Sequence, residues 1–400
     1  MSPLVPTLAP ECYLADDTWQ LERERIFACQ WVLVGREEDL LETGDRLRAD
    51  VAGESVIVVR RPDGGLGAFF NVCRHRGAEL VAPGEPERGR CGPVIRCPYH
   101  SWTYGLDGVL RRAPFLDASA LADGPIALHA VGVDTWGGFV FVHLAPDSAS
   151  PLVDQLGPVP ERLRRYPLDE LRCGTTLTYD VAANWKVLAE NYNECYHCAT
   201  VHPELCDLVP DFRRGGTDLE WTEGISHRDG AWTFTATGTS GRAPFDTLDD
   251  AERTRHKGEL VYPNLLLSLA AEHVAAFQLR PLGPGRTEVR CDLLFHPDAI
   301  SAADFDPSDA SDLWDLVNRQ DWAICESVQR GMGSRAWTGG WFAPMEDESA
   351  DITRWYASAM GSAEAMTERS EGMPTERPPA SRAAMGSGGA APAEAMGADG

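Results

Sequence analysis

The sequence predicts an α+β protein in two parts: an all-β domain, then a domain that mixes sheet and helix. Three observations lead there. Between Trp31 and Leu144 the apolar residues fall in short runs separated by glycine- and proline-containing turns, the pattern of strands. From Pro146 to Pro160 the chain becomes rich in Pro, Asp and Ser, which marks a boundary. Beyond it, strand patterns alternate with two segments of helical spacing, one opening at Asn184 and one around Asp309–Arg330.

The elements follow in order. Asp16–Phe27 reads as a helix with Trp19, Leu21 and Ile26 as its apolar contacts. Trp31–Val34, Arg46–Asp50 and Ser55–Arg60 read as strands, and the turn Pro62-Asp-Gly-Gly65 leads into Leu66–Val72 as a hairpin. Val94–Arg96, Trp102–Tyr104, the turn at Gly105–Gly108 and the apolar run Trp136–Leu144 continue the β pattern. In the second part the strands expected are Arg172–Val181, Trp232–Thr237, Leu265–Leu269, Ala275–Pro281 and Thr287–Phe295. From about Glu364 the sequence is Ala, Gly, Pro, Ser, Met and Glu without periodicity, so 364–400 is expected to be a disordered tail.

Composition narrows the function classes. A formal net charge of −25 argues against nucleic acid or an anionic membrane as partner. The most apolar run, Leu265–Ala276, is interrupted by Glu272 and His273 and is too short to span a bilayer. The opening Met1-Ser-Pro-Leu-Val-Pro lacks a basic region followed by an apolar core, so no signal peptide and a cytoplasmic location are expected. An odd count of 11 cysteines fits reduced thiols and metal ligands better than a disulfide framework. No G-x-G-x-x-G fingerprint is present, so any electrons must come from a separate NAD(P)H-dependent reductase or ferredoxin.

Two stretches carry metal chemistry. In Glu190-Asn-Tyr-Asn-Glu-Cys-Tyr-His-Cys-Ala-Thr-Val-His-Pro203, two imidazoles follow two carboxylates. Two His with one carboxylate and open positions is a pattern for non-haem Fe(II). Asn184 is a good N-cap, and a helix reaching Cys198–Val201 would place Glu190, Glu194 and His197 on one face. Pro203 then disfavours helix at His202 and lets the chain turn it back beside His197. The plainer alternative is a solvated polar face. Earlier, Cys73-Arg-His75 and Cys97-Pro-Tyr-His100 each follow a strand and offer one thiolate and one imidazole. Such a set holds either a two-iron Rieske cluster or one structural zinc.

Together these residues resemble a known family. Cys73-Arg-His75-Arg-Gly and Cys97-Pro-Tyr-His100-Ser-Trp look like the paired motif of Rieske proteins. Glu190 through His197, with Val201-His202-Pro, looks like the mononuclear iron motif of Rieske non-haem iron oxygenase α subunits. The resemblance implies an α+β chain with an all-β Rieske domain (36–150) and a helix-grip catalytic domain (151–363), an antiparallel sheet with helices. Residues 1–35 would be a helical segment packing on the catalytic domain. It also implies a [2Fe-2S] cluster on Cys73, His75, Cys97 and His100, a mononuclear Fe(II), O2 as co-substrate and a homotrimer. The spacer between the Rieske loops is longer than usual, and Pro83–Gly92 is expected to hold the excess as a loop.

A third iron ligand is still needed. On the long helix, Leu313, Val317, Asp321, Ile324 and Val328 step by three or four, which puts Asp321 within an apolar stripe where a carboxylate wants a cation. The family's late-helix Asp agrees; the alternatives are a salt bridge to Arg319, or Glu326 as the ligand instead. Glu194 would then bridge the Rieske His100 of one subunit to the iron site of the next, with Asn191 and Glu190 in support. A Glu at this position resembles the branch that oxidises carnitine, glycine betaine and choline. Trp221, Trp232, Phe234, Phe212 and Tyr262 are candidates for a cage around a quaternary ammonium, or else plain core. Cys195 and Cys198 read as small core residues, and His129, His143, His227, His256, His273 and His296 as structural or surface. The competing functions are N-demethylation or hydroxylation of a quaternary ammonium compound, hydroxylation of an aromatic ring or natural product, and a non-catalytic electron-transfer or zinc-stabilised binding protein.

Overall fold

The computed structural model describes residues 4–116, 124–217 and 219–361; the tail expected over 364–400 lies outside them. Strands of the first part build a seven-stranded antiparallel sheet. Its spatial order is Val32–Arg36, Phe139–His143, Ala130–Trp136, Leu66–Phe70, Glu54–Arg60, Asp45–Val51 and Arg88–Arg90. A second, three-stranded sheet joins Val94–Arg96, Thr103–Gly105 and Leu110–Arg112. The run Trp136–Leu144 is not one strand. It breaks at Gly137 and Gly138, whose φ angles of 58° and 74° make the turn of a hairpin that residues with a Cβ adopt at a cost. The spacer Pro83–Gly92 is not all loop either, since Arg88–Arg90 pairs with Asp45–Leu47 as an exposed edge strand.

The second part is a six-stranded antiparallel sheet in the order Arg172–Val181, Arg286–Phe295, His273–Gly283, Leu265–Leu269, Arg255–Val261 and Ile225–Ser226. The 25-residue helix Ser308–Met332 lays Leu313, Trp314 and Val317 into a core shared with Phe277, Leu279 and Val289 of that sheet. Trp232–Thr237, expected as a strand, is a series of turns. The Thr235 hydroxyl donates to the Thr239 carbonyl at 2.7 Å, a local bond that competes with a ladder, and the Thr233 hydroxyl is drawn to the distant Glu272 at 3.0 Å.

The two sheets share a core. Trp31, Leu33, Phe139 and Phe141 pack in one cluster with Leu265, Leu267 and Leu294. Asn264 clamps the joint: its Oδ1 accepts from the Leu33 N–H at 2.9 Å and its Nδ2 donates to the Leu33 carbonyl at 3.0 Å. The N-terminal segment, helical at Asp16–Glu22 with a wider-wound turn to Phe27, is held by a buried ion pair. Glu22 accepts from Lys186 Nζ at 2.5 Å, from Trp185 Nε1 at 2.9 Å and from the Tyr356 hydroxyl at 2.7 Å. Three donors on one buried carboxylate are the condition under which such a charge is tolerated.

Candidate active site

The two Cys–His loops meet at the tip of the β domain. The Cys73 loop is tied down by Asn71, whose Oδ1 accepts from the N–H groups of Leu80 and Val81 and whose Nδ2 donates to the Val81 carbonyl. Cys73 and Cys97 are buried, whereas His75 and His100 are exposed. The two imidazoles lie 4.7 Å apart between ring centroids, and His75 stacks on Trp102 at 4.8 Å. The Tyr104 hydroxyl sits 3.2 Å from Cys73 Sγ and accepts from the Arg74 N–H at 3.1 Å. Among the described residues, no three of these four donors lie within 4.8 Å of one another. A single tetrahedral zinc, with bonds of about 2.0–2.3 Å, would need them closer. A buried thiol pair beside an exposed imidazole pair fits two irons, one held by each pair.

The second constellation forms where three segments converge. The helix opened by Asn184, whose side chain accepts from the Lys186 N–H, ends at Tyr192 and does not reach Cys198. Glu194 ends it: its carboxylate accepts from the N–H groups of Tyr196 and His197, a local alternative to the helical ladder. The shared helical face expected for Glu190, Glu194 and His197 therefore does not exist. Glu190 is instead buried against the Tyr13 hydroxyl at 2.6 Å. His197 leads into the short helix Cys198–Val201, and His202 sits between it and Pro203–Leu208. The Ser308–Met332 helix supplies Asp321, whose Oδ1 is 2.8 Å from His202 Nε2 and 3.3 Å from His197 Nε2. One donor atom from each of the three lies within 4.8 Å of the others.

The far side of each ring is also fixed. His197 Nδ1 bonds Glu194 Oε1 at 2.5 Å, and His202 Nδ1 bonds Gln320 Oε1 at 2.7 Å. Each Nδ1–H then donates outward and each Nε2 faces Asp321, as metal-binding histidines are usually held. Asn191 Nδ2 lies 3.4 Å from the His197 ring nitrogens. Burial works against protonated His197, but Asp321 and Glu194 outweigh it and hold its pKa up to about 11. Burial would likewise raise Asp321, yet His197 and His202 pull its carboxyl below the ordinary range. Protons thus sit where a divalent cation would satisfy the same charges, so the donor set fits Fe(II).

A cavity of about 330 Å³ opens beside this triad. Phe212, Trp221, Phe234 and Tyr262 line it as the sequence suggested, and Tyr192 and Trp314 join them. Trp232 does not; it packs against the core between the sheets.

Comparison with known proteins decides the family. A model of the Rieske [2Fe-2S] domain matches residues 30–131, and one of the ring hydroxylating alpha subunit (catalytic domain) matches 168–362. The chain is 30% identical over 374 residues to the glycine betaine monooxygenase oxygenase subunit of Chromohalobacter salexigens, covering 85% of this chain and 82% of that protein. The chain belongs to the Rieske non-haem iron oxygenases.

This Rieske oxygenase is also 29% identical over 340 residues to the carnitine monooxygenase oxygenase subunit of Escherichia coli, covering 83% and 86% of the two chains. A crystal structure of a quaternary ammonium Rieske monooxygenase in complex with L-carnitine superposes with a TM-score of 0.70 at 25% identity, over 89% of this chain and 96% of that one. The enzyme is therefore an oxidoreductase with a Rieske [2Fe-2S] domain and a mononuclear-iron catalytic domain, and a zinc-stabilised binding protein is set aside. Among the described residues of the Rieske oxygenase no helix is long and apolar enough to cross a membrane.

The structure corrects several residue-level expectations in this oxygenase. Glu326 accepts from the Ala182 N–H at 3.1 Å and is not one of the three donors that converge. Arg319 pairs with Asp315 at 2.7 Å rather than with Asp321. Ile324 and Val328 are 37% and 40% exposed, and the buried face runs on through Cys325 and Met332, because a 3.6-residue turn carries a long stripe round the helix. Sequence reasoning missed Gln320, though it adjoins Asp321. It also missed His256 and the acids Glu259, Glu348 and Asp351 of the cavity wall, which no spacing connects to the motif.

Proposed function

We propose that this oxygenase hydroxylates a small quaternary ammonium compound at an N-methyl or neighbouring C–H bond, using O2 and electrons from a separate NAD(P)H-dependent reductase or ferredoxin. The observation that carries the reading is the cavity. It sets aromatic faces, the acids Glu348 and Asp351 and the Arg162–Glu259 ion pair beside the histidine–aspartate triad, surroundings that attract a cation through ring quadrupoles and charge. The names of the relatives, which act on glycine betaine and carnitine, support the same class.

In this reading His197, His202 and Asp321 hold the mononuclear Fe(II), and Cys73, His75, Cys97 and His100 hold the cluster. When bound, the iron supplies O2 chemistry and the cluster delivers single electrons. The chain's own groups do the rest. Glu194 and Gln320 fix the tautomers of His197 and His202, and Asn191 adds a donor beside His197. Rings on the cavity wall hold the ammonium group, and Phe234 and Trp314, stacked at 4.6 Å, close one side against water. Hydroxylation of an N-methyl group releases formaldehyde and a proton and leaves a tertiary amine.

We further propose a homotrimer in which Glu194 of one subunit meets His100 of another. The exposure of His75 and His100, and the bond from Glu194 to His197, support that bridge. All 11 cysteines are free, which supports a reducing, cytoplasmic setting. A ring-hydroxylating role is the weaker reading, because a hydrocarbon gains nothing from three wall carboxylates. Incubation of the iron-loaded enzyme and a reductase with glycine betaine, carnitine and choline should release formaldehyde or consume O2 in step with substrate loss. Ring hydroxylation of indole or naphthalene, with every ammonium compound left intact, would overturn the assignment.

A further inference from the structure

The cavity departs from what a betaine would need. Glycine betaine and carnitine each carry a carboxylate as well as an ammonium group. Among the described residues lining the cavity, Arg162 is the one Lys or Arg. Its charge is already balanced: its Nε donates to Glu259 Oε1 at 2.6 Å and its Nη2 to Glu259 Oε2 at 2.5 Å, a bidentate pair along one edge of the guanidinium. Next to it, Glu348 and Asp351 come from successive turns of the Asp347–Ala359 helix. Asp351 is partnered by Arg354 at 3.2 Å and by the Tyr262 hydroxyl at 3.5 Å. Burial, reinforced by Asp351, Asp347 and Glu259, raises the Glu348 carboxyl above its ordinary range, a sign of crowded negative charge. A second anion at this wall would be repelled.

A further polar group of the wall is His256. It is 6% exposed, lines the cavity and stacks on Phe234 at 4.4 Å, and its Nδ1 is buried with no hydrogen-bond partner. Burial, with His227 and His273 nearby, pushes its pKa down to about 3, so the ring is neutral. A neutral imidazole can bond a hydroxyl, carbonyl or amide, and it brings no positive charge to offset a carboxylate. With Nδ1 sealed off, Nε2 is the ring nitrogen open to a ligand, and by choice of tautomer it gives or accepts one hydrogen bond.

We propose that this site selects quaternary ammonium compounds whose other end is uncharged, with His256 bonding that end, and that it discriminates against betaines bearing a free carboxylate. The inference rests on the quaternary ammonium reading above and narrows it. Among the described residues of the lining, every positive charge is already balanced by a carboxylate, and two of the walls answer a carboxylate with repulsion or with a neutral ring.

Matched ligands separate the two ideas. Binding of glycine betaine, its amide, and choline to the iron-loaded enzyme should be measured by tryptophan fluorescence. Turnover of each should be scored by O2 uptake with reductase. The amide and choline should bind at least about tenfold more tightly than glycine betaine. Glu348→Gln should narrow that gap by improving the betaine, whereas His256→Phe should narrow it by weakening the amide and choline; circular dichroism checks that both variants fold. Equal or tighter binding of glycine betaine would overturn this inference and leave the quaternary ammonium reading standing. No binding of any of the three would remove both.

Discussion

Asp321 Oδ1 lies 2.8 Å from His202 Nε2, although 119 residues separate them in the chain. That contact joins the break after the Trp185–Tyr192 helix to the long Ser308–Met332 helix and fixes where an iron would sit. Asp321→Ala should abolish turnover and remove one iron per chain while leaving the visible Rieske absorption. Metal analysis should fall from about three irons to about two. A variant that keeps its third iron would take Asp321 out of the ligand set.

The reciprocal experiment concerns Cys97, buried beside Cys73. Cys97→Ser should bleach the Rieske spectrum and stop electron entry, yet retain the single iron at the other site. Loss of both centres together would mean that they do not assemble independently.

Glu194 holds His197 through a 2.5 Å bond to Nδ1. Glu194→Gln should keep both metal centres but slow turnover by about 10–100-fold, the usual effect of removing an outer partner of a ligand histidine. The more telling readout is reoxidation of the pre-reduced cluster after O2 and substrate are added. If that rate is unchanged, Glu194 takes no part in passing electrons.

Glu190 gives a pH dependence whose sign is fixed. Burial raises its carboxyl from 4.5 to about 7, only partly opposed by the Tyr13 hydroxyl and Lys186. A raised acid stabilises the fold fully below 4.5, and the contribution is lost as pH climbs through about 7. Glu190→Gln keeps an acceptor for Tyr13 and cannot ionise. Unfolding free energies of wild type from urea titrations should therefore fall relative to the variant between pH 5 and pH 8, by on the order of 3 kcal/mol. Parallel curves would show that Glu190 titrates normally.

The N-terminal segment should depend on Glu22. Replacing it by Gln leaves the fully buried Lys186 ammonium without its counter-charge, which costs about 3–5 kcal/mol. A loss of less than about 1 kcal/mol in unfolding free energy would show that water reaches Lys186.

Local patterns carried much of this fold. The strand Leu265–Leu269 falls where its apolar run ends, because two-sided burial leaves a continuous apolar signature, whereas the half-buried Arg172–Val181 was legible from its β-branched and aromatic residues. Both Cys–His loops and His197-x4-His202 were legible because their donors sit close together in sequence. Their spacing is set by loop geometry, which short-range chemistry records. Within Trp136–Leu144, expected to continue the β pattern, Gly137-Gly138 makes the turn between two strands of a hairpin.

What the sequence by itself determined is the order of the two domains and the Cys–His and His–His pairs that could bind metal, since both are written in short stretches whose residue types limit the chemistry. Tertiary structure alone decided that the Asn184 helix stops at Tyr192, that Asp321 rather than Glu326 turns to the histidines, and that His256 and the acids of the Asp347–Ala359 helix share one cavity. Those outcomes depend on which faces of distant elements meet. A face acquires its partner only when apolar surfaces pack, so nothing local in the chain announces it.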